Sequence, residues 1–470
     1  MVIASGVVAC GSSAAGSATD GDGGGPGSDA GAGSDAEGVL PDSATVTFLD
    51  LASGTPTKTT GMLWTDPLDV KLAGLPPHTD VTVRARFVGV GSESVFTSAA
   101  DGTLDLATAA PKHGSYAGAD ADGIVWSMTP GASPSDKGAD PYALRVTASV
   151  GDTQVGSGSL ARYAGSKNVA CKNVSANGLV GYYCAPTKGP ARGGIVAFGG
   201  SEGGLDTGQG LAMYYSALGY PTLGLAYFGA PGVPAQLSEI PLEYFGKAFD
   251  WLEAQPGVLP GKLLVNGGSR GGELALLLGA TFPRVTAVVA HVPSAFAWGA
   301  PTPDGSKEVA SWTYGGQPLP WVPYLAGSVK QVKEPDGTVA SAYAQEFLDS
   351  IHAAAPAVLD AAEARVELTR GPVMMIAGED DQVWASCELA EFAWIRLVSY
   401  GHTKTYEDEF QCYPKAGHNV TAFSVGLPTT SSAYAADQGE TLALGGTPVG
   451  IAHAARDSDN RVRAFLAKNL

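Results

Sequence analysis

The chain has 470 residues, room for two or three domains at roughly 100–200 residues each. Its 46 acids outweigh 28 bases to give a net charge of −18, which argues against the Lys and Arg clusters that nucleic-acid binding requires. No run of 18 or more apolar residues occurs, so no transmembrane helix is expected.

The 64 glycines make about 14% of the chain against an ordinary share of roughly 7%. Residues 1–40 hold eleven of them and no Lys or Arg. Within this stretch Val7-Val8-Ala9-Cys10 looks like the end of a bacterial lipoprotein signal, with Cys10 as the lipidated residue. The expectation is a chain exported and lipid-anchored to a bacterial membrane through Cys10, or cytoplasmic if the signal does not function. Two defects weigh against the signal: the first basic residue is Lys58, and Ser5-Gly6 interrupts the apolar segment. A start placed too late would explain both. Residues 11–40 have almost no large apolar side chains to offset ordering entropy, so residues 1–40 are expected to be signal and flexible tether.

Residues 41–165 read as short strands divided by turns. Thr45–Phe48, Val81–Phe87 and Ala143–Ala148 alternate in part with a period of two, and Gly-Leu-Pro-Pro, Ala-Asp-Gly and Gly-Asp separate them. The expectation is an immunoglobulin-like all-β sandwich, with a structural or lid role because no paired acids, metal cluster or nucleophile–base set stands out.

From about residue 166 to the end, apolar strands alternate with helices. Strands are predicted at Gly194–Gly199, Tyr220–Tyr227, Lys262–Val265, Val285–Ala290 and Val373–Ala377, and helices over residues 240–254, 272–281 and 452–469. Strands apolar throughout imply a parallel sheet covered on both faces, hence an α/β domain. Four cysteines remain, Cys171, Cys184, Cys387 and Cys412. The first two flank an Asn177-Gly178 hairpin signal and the last two flank one helix–strand unit, which suggests the pairs 171–184 and 387–412 and suits an oxidising compartment. Four separate buried thiols are the alternative.

Two segments fit G-x-S-x-G, around Ser201 and around Ser269. A nucleophile turn needs a strand before it and a helix at once after it. Gly271-Gly272-Glu273-Leu274-Ala275-Leu276 satisfies this after Ser269, whereas Gly203, Gly204 and Gly208 make a poor helix start after Ser201. Ser269 is the candidate nucleophile. A serine needs a base oriented by a carboxylate, in the chain order Ser, acid, His. Asp381 follows the strand at Val373–Ala377 and His418 ends Tyr413-Pro414-Lys415-Ala416-Gly417, so these complete the set. Asp380 and Glu379 are rivals for the acid. The other six histidines are expected to be packed or exposed without a catalytic role. An oxyanion would be held by the backbone N–H of Arg270 and by that of Ser201 or Glu202, in the glycine-rich loop after an early strand.

These residues resemble the acyl-CoA thioester hydrolases and bile acid-CoA:amino acid N-acyltransferases, over about residues 60–468. The likeness is carried in the first part by LAGLPP (72–77), GSY (114–116) and VWSMTP (125–130). In the second it rests on FGGSEGGL (198–205), LAYFGAPG (225–232), EIPLEYF (239–245), GGSRGGELALLLGA (267–280), GEDDQVWAS (378–386) and YPKAGH (413–418). The resemblance implies a β-sandwich followed by an α/β-hydrolase domain, with the family triad falling on Ser269, Asp381 and His418. The N-acyltransferase members carry cysteine at the nucleophile, so serine here tilts the expected outcome to hydrolysis.

The expected activity is serine-dependent hydrolysis of an acyl thioester, with no metal or organic cofactor and a small-molecule substrate. Tyr227, Phe228, Trp298, Trp312 and Trp384 are candidates for the acyl pocket, with core packing the competing role for each. An exported enzyme would meet little CoA, so the signal and an acyl-CoA substrate pull apart. The alternatives are an exported carboxylesterase or lipase-like hydrolase, acyl transfer to an amine, and a non-catalytic surface lipoprotein that binds a partner through its β-sandwich.

Overall fold

The computed structural model describes residues 43–470 apart from 88, 131–142, 167, 303–306, 335–336, 422–423 and 436–438. Cys10 and the expected tether lie outside the described residues.

Among the described residues the N-terminal region is all-β apart from one helical turn, Gly123–Trp126. Thr45–Asp50 (β1) pairs antiparallel with Leu68–Ala73 (β2) in the smaller of two sheets. The larger contains Asp80–Phe87 (β3), Val90–Thr97 (β4), Ala143–Val150 (β5) and Thr153–Tyr163 (β6), in the order β6-β5-β3-β4. Strand β3 alternates as the sequence predicts: Val81, Val83, Ala85 and Phe87 are buried and the residues between them are not. These side chains meet Leu68, Val70 and Leu72 from β2 in one apolar core between the sheets.

The C-terminal region is built on an eight-stranded sheet. Val169–Val174 (β7) and Val180–Pro186 (β8) form an edge hairpin, followed by Arg192–Phe198 (β9), Asp206–Ala217 (α1) and Thr222–Ala226 (β10). Then come Glu243–Glu253 (α2), Val258–Gly268 (β11), Arg270–Thr281 (α3) and Val285–His291 (β12). Val373–Gly378 (β13), Ser386–Ser399 (α4), Glu409–Tyr413 (β14) and Pro448–Asn469 (α5) complete it. The strand order is β7-β8-β10-β9-β11-β12-β13-β14, and every pair from β10 to β14 is parallel. Alternate residues of one strand serve two cores. Val196 and Phe198 face α2, α3 and α4, while Ile195 and Ala197 face α1 and α5. A sheet buried on both faces needs strands apolar at every position, which is why these strands read as continuous runs.

Local chemistry fixes two boundaries. Helix α5 starts four residues before the predicted 452, because Pro448 occupies its first turn and the Thr447 side chain accepts from the N–H of Gly450 at 3.2 Å. In the β7–β8 hairpin Asn177 and Gly178 take φ of 57° and 76°, the left-handed pair an Asn-Gly turn supplies. Cys171 and Cys184 then stand directly opposite and are joined, as are Cys387 and Cys412.

The two regions meet along α5. Arg456 pairs with Asp122 at 2.8 Å and Arg463 with Asp66 at 3.1 Å, while His453 lies 2.8 Å from Asp120. Between β12 and β13 the chain makes a long excursion, residues 292–372, of short strands and the helices Ala344–Ala353 and Pro356–Ala362. Most of that excursion is illegible from the sequence pattern.

Candidate active site

Parallel strands point their carboxyl ends the same way, so the loops after β9, β11, β13 and β14 gather at one edge of the sheet. Those loops carry Ser201, Ser269, Asp381 and His418, the residues singled out in the sequence.

Ser269 stands between the end of β11 and the start of α3, with φ 59° and ψ −126°. A serine with positive φ is strained, and the surroundings hold it there. Its N–H donates to the His291 carbonyl at 3.0 Å, and its own carbonyl accepts from Gly272 at 2.8 Å. The turn is possible only with glycine on both sides: a Cβ on Gly267 would collide with the Gly271 carbonyl, and one on Gly271 with the Gly199 carbonyl.

The same close approach brings the Gly199–Gly204 loop against Ser269, since a Cβ on Gly200 would lie 2.9 Å from that of Ser269. Two side chains shape the loop. Glu202 Oε2 accepts from the Gly200 N–H at 2.9 Å and its Oε1 from Thr207 Oγ1 at 2.7 Å. The buried Tyr227 hydroxyl reaches the carbonyls of Gly199 and Gly200 at 3.0 and 3.2 Å. Carbonyls and the Gly200 N–H are thereby engaged. Among the described residues none accepts a hydrogen bond from the N–H of Ser201, Glu202 or Arg270.

Asp381 is 3% exposed, and its neighbours in the loop, Glu379 and Asp380, are exposed. Asp381 Oδ1 accepts from the N–H groups of Val383 and Trp384 at 3.0 and 3.3 Å, and Oδ2 lies 2.8 Å from His418 Nδ1. The His418 N–H donates to the Leu444 carbonyl at 2.7 Å, which fixes the loop from the other side. Trp384 packs edge-on to the imidazole with ring centres 6.2 Å apart, and its indole N–H donates to the Val292 carbonyl at 2.9 Å. A short relay thus links His418 to the segment next to Ser269. His291 is buried at the end of β12, where burial pushes its imidazole down to about 4 against the pull of the Val420 carbonyl.

The aromatic candidates are all buried. Tyr227 and Phe228 pack with Phe198 and Phe245 in the core beneath the loop, and Trp312 stands 5.9 Å from Tyr227. Trp298 stacks on Tyr324, with its indole N–H donating to Ser294 Oγ at 2.9 Å. Sequence reasoning missed the side chains of Arg270, Glu273 and Tyr227 as organisers of the loops. Glu273 left one readable trace: an acid inside the apolar run Leu274–Leu278 and its glycines is a buried acid, and a buried acid has partners.

Residues 240–470 match the family described as BAAT / Acyl-CoA thioester hydrolase C terminal, and residues 65–176 the Acyl-CoA thioester hydrolase/BAAT N-terminal region. Acyl-coenzyme A thioesterase 1 of Rattus norvegicus is 26% identical over 426 residues, covering 87% of this chain and 94% of its own. Acyl-coenzyme A thioesterase 6 of Homo sapiens is 26% identical with the same coverage. Among solved structures, a hyperthermophilic esterase from Pyrobaculum calidifontis is 16% identical, with a TM-score of 0.37 over 64% of this chain and 86% of its own.

These relatives correct one expectation. They are acyl-coenzyme A thioesterases, and a third relative, acyl-coenzyme A thioesterase 2 of Rattus norvegicus, is named as mitochondrial; none of the three names carries export or a lipid anchor. No described helix is long and apolar enough to cross a membrane. Export with a lipid anchor on Cys10 is withdrawn. It rested on four residues of a stretch that lacks a basic start and a continuous apolar segment. The two regions, an N-terminal sandwich and a C-terminal α/β domain, match the two-part architecture of the acyl-CoA thioester hydrolase/BAAT family.

Proposed function

We propose that the protein hydrolyses acyl-CoA thioesters through an acyl-enzyme on Ser269. The family match points to acyl-thioester hydrolysis by an α/β-hydrolase-like fold. The observation that carries the finer reading is the buried Asp381 carboxylate 2.8 Å from His418 Nδ1, at the same sheet edge as a strained Ser269.

In this reading His418 Nε2 takes the Ser269 hydroxyl proton as Oγ attacks the thioester carbonyl. The tetrahedral oxyanion forms within reach of the Arg270 N–H and of Ser201 or Glu202 N–H. The C–S bond then breaks, the thiolate leaves with the proton from His418, and the acyl group remains on Oγ. Water, deprotonated by the same imidazole, attacks the ester and releases the carboxylic acid and free Ser269. Asp381 fixes the tautomer with Nδ1 protonated and stabilises the imidazolium.

Serine rather than cysteine at 269 favours hydrolysis over transfer to an amine. With export withdrawn, the objection to CoA as leaving group falls with it. The test is steady-state hydrolysis of acyl-CoAs of graded chain length beside aryl esters, with Ser269→Ala as control. Acyl-CoA turnover lost in the variant supports the reading, and ester turnover alone would replace it with a carboxylesterase.

A further inference from the structure

Two ionisable side chains at the start of α3 take no part in the chemistry above. Arg270 is 5% exposed, Glu273 1%, and 3.0 Å separates Arg270 Nε from Glu273 Oε2. Desolvating such a pair costs about as much as the attraction returns, so an apolar pair would hold the helix as well. What an apolar pair could not do is hydrogen-bond.

The partners of these two residues all lie in the excursion between β12 and β13. Arg270 Nη2 donates to the Trp298 carbonyl at 2.9 Å and to Ser311 Oγ at 2.5 Å. Its Nη1 donates to the Tyr324 hydroxyl at 3.1 Å and the Gly299 carbonyl at 3.3 Å. Glu273 Oε1 accepts from the Trp312 indole N–H at 2.6 Å and the Trp298 N–H at 3.3 Å. The planar guanidinium spreads its donors over four acceptors of the segment, which the three donors of an ammonium could not match.

This grip sits at the root of an aromatic wall. Trp298 meets Phe347 edge-on at 4.7 Å, Phe347 meets Trp384 at 5.5 Å, and Trp384 meets His418. On the other side Trp312 contacts Tyr227, whose hydroxyl holds the Gly199–Gly200 carbonyls. A displacement of Trp298, Trp312 and Tyr324 relative to Ser269 would therefore move the buried rings packed against the base and against the oxyanion loop together.

We propose that Arg270 and Glu273 are positioning residues whose side chains set the register of Trp298, Ser311, Trp312 and Tyr324 against the nucleophile turn, and that this register selects acyl chain length. The inference rests on the acyl-transfer reading of Ser269. An apolar chain is discriminated by about 0.8 kcal/mol for each methylene buried, roughly fourfold in rate per carbon. A wall displaced by a fraction of a side chain thus changes selectivity before it abolishes turnover.

The experiment measures kcat and KM of Glu273→Gln, Arg270→Lys and Tyr324→Phe on acyl-CoAs and on aryl esters of graded acyl length. Glu273→Gln keeps the shape and loses the charge, Arg270→Lys keeps the charge and loses the fork, and Tyr324→Phe removes one partner with the fold intact. The expected result is a change of about tenfold or more in the long-to-short ratio of kcat/KM, in both substrate series, for Glu273→Gln and Arg270→Lys. Tyr324→Phe should change it in the same direction by less. A uniform loss of kcat with the ratio unchanged would overturn the proposal and leave the pair a scaffold for α3. Failure of the wild type on acyl-CoA alone would sink the thioesterase reading, while the ester series would still report on the register.

Discussion

Asp381 Oδ2 and His418 Nδ1 lie 2.8 Å apart although 37 residues separate them in the chain. The contact exists because β13 and β14 are parallel neighbours whose following loops emerge at the same sheet edge. Asp381 has its second oxygen on two backbone N–H groups, so it is held before the imidazole becomes charged.

Asp381→Asn should therefore leave the fold and substrate binding nearly unchanged and slow turnover by about four orders of magnitude, because an amide favours the wrong tautomer of His418. Steady-state kinetics with circular dichroism checks this. Asp380→Asn, on an exposed neighbour, should slow turnover by less than about twofold.

Gly271→Ala should damage activity more than stability. The added methyl points at the Gly199 carbonyl, so relief must come by moving the loop that carries the Ser201 and Glu202 amides. Steady-state kinetics should show turnover slowed by about two to three orders of magnitude, the usual loss for a missing oxyanion donor, with KM little changed.

Two buried groups should give stability opposite pH dependences. His291 binds its proton at about 4 in the folded chain against an ordinary 6.5. The unfolded chain takes up that proton first, so stability falls as pH drops from 6.5 to 4, by on the order of 3 kcal/mol. Glu273 is raised from 4.5 to about 7 by burial, the Arg270 charge opposing. Here the folded chain holds the extra proton, so stability falls as pH rises from 4.5 to 7. Urea titrations between pH 4 and 8 should show His291→Gln and Glu273→Gln flattening slopes of opposite sign.

The Cys387–Cys412 disulfide ties the first turn of α4, just past the acid loop, to β14, just before the base loop. Closing 25 residues is worth about 3.5 kcal/mol by chain entropy, and the 13 residues between Cys171 and Cys184 about 3 kcal/mol. Cys387→Ser with Cys412→Ser should lower stability by that order and also slow turnover, since the tethered loops carry the Asp381 and His418 of the proposed mechanism. Cys171→Ser with Cys184→Ser, at the far sheet edge, should lower stability alone. Urea melts and steady-state rates on the two double variants separate these outcomes.

The legible part of this protein is the part governed by local rules. Strands β9 to β13 announce themselves because burial on two faces forces apolar residues at every position, and the Ser269 turn because Gly267, Gly268 and Gly271 all lie within two residues of the serine. Asp381 could be preferred to Asp380 by spacing, yet only the fold shows that one is buried and the other exposed. The excursion over residues 292–372 is hard to read, since its order comes from partners far along the chain: Arg270 and Glu273 hold Trp298, Ser311, Trp312 and Tyr324. Tyr227 reads as pocket lining or core packing in sequence, whereas its hydroxyl binds the loop carbonyls, a role that alternation and spacing cannot carry.

The central claim is that acyl groups pass through Ser269. The most direct measurement is intact-protein mass after rapid mixing with a long-chain acyl-CoA and acid quench, made on the wild type and on Ser269→Ala. The account predicts a transient gain equal to one acyl group, mapping to the peptide that holds Ser269 and absent from the variant, with CoA released in a matching burst. Full turnover by Ser269→Ala, or an acyl adduct on another residue, would contradict it.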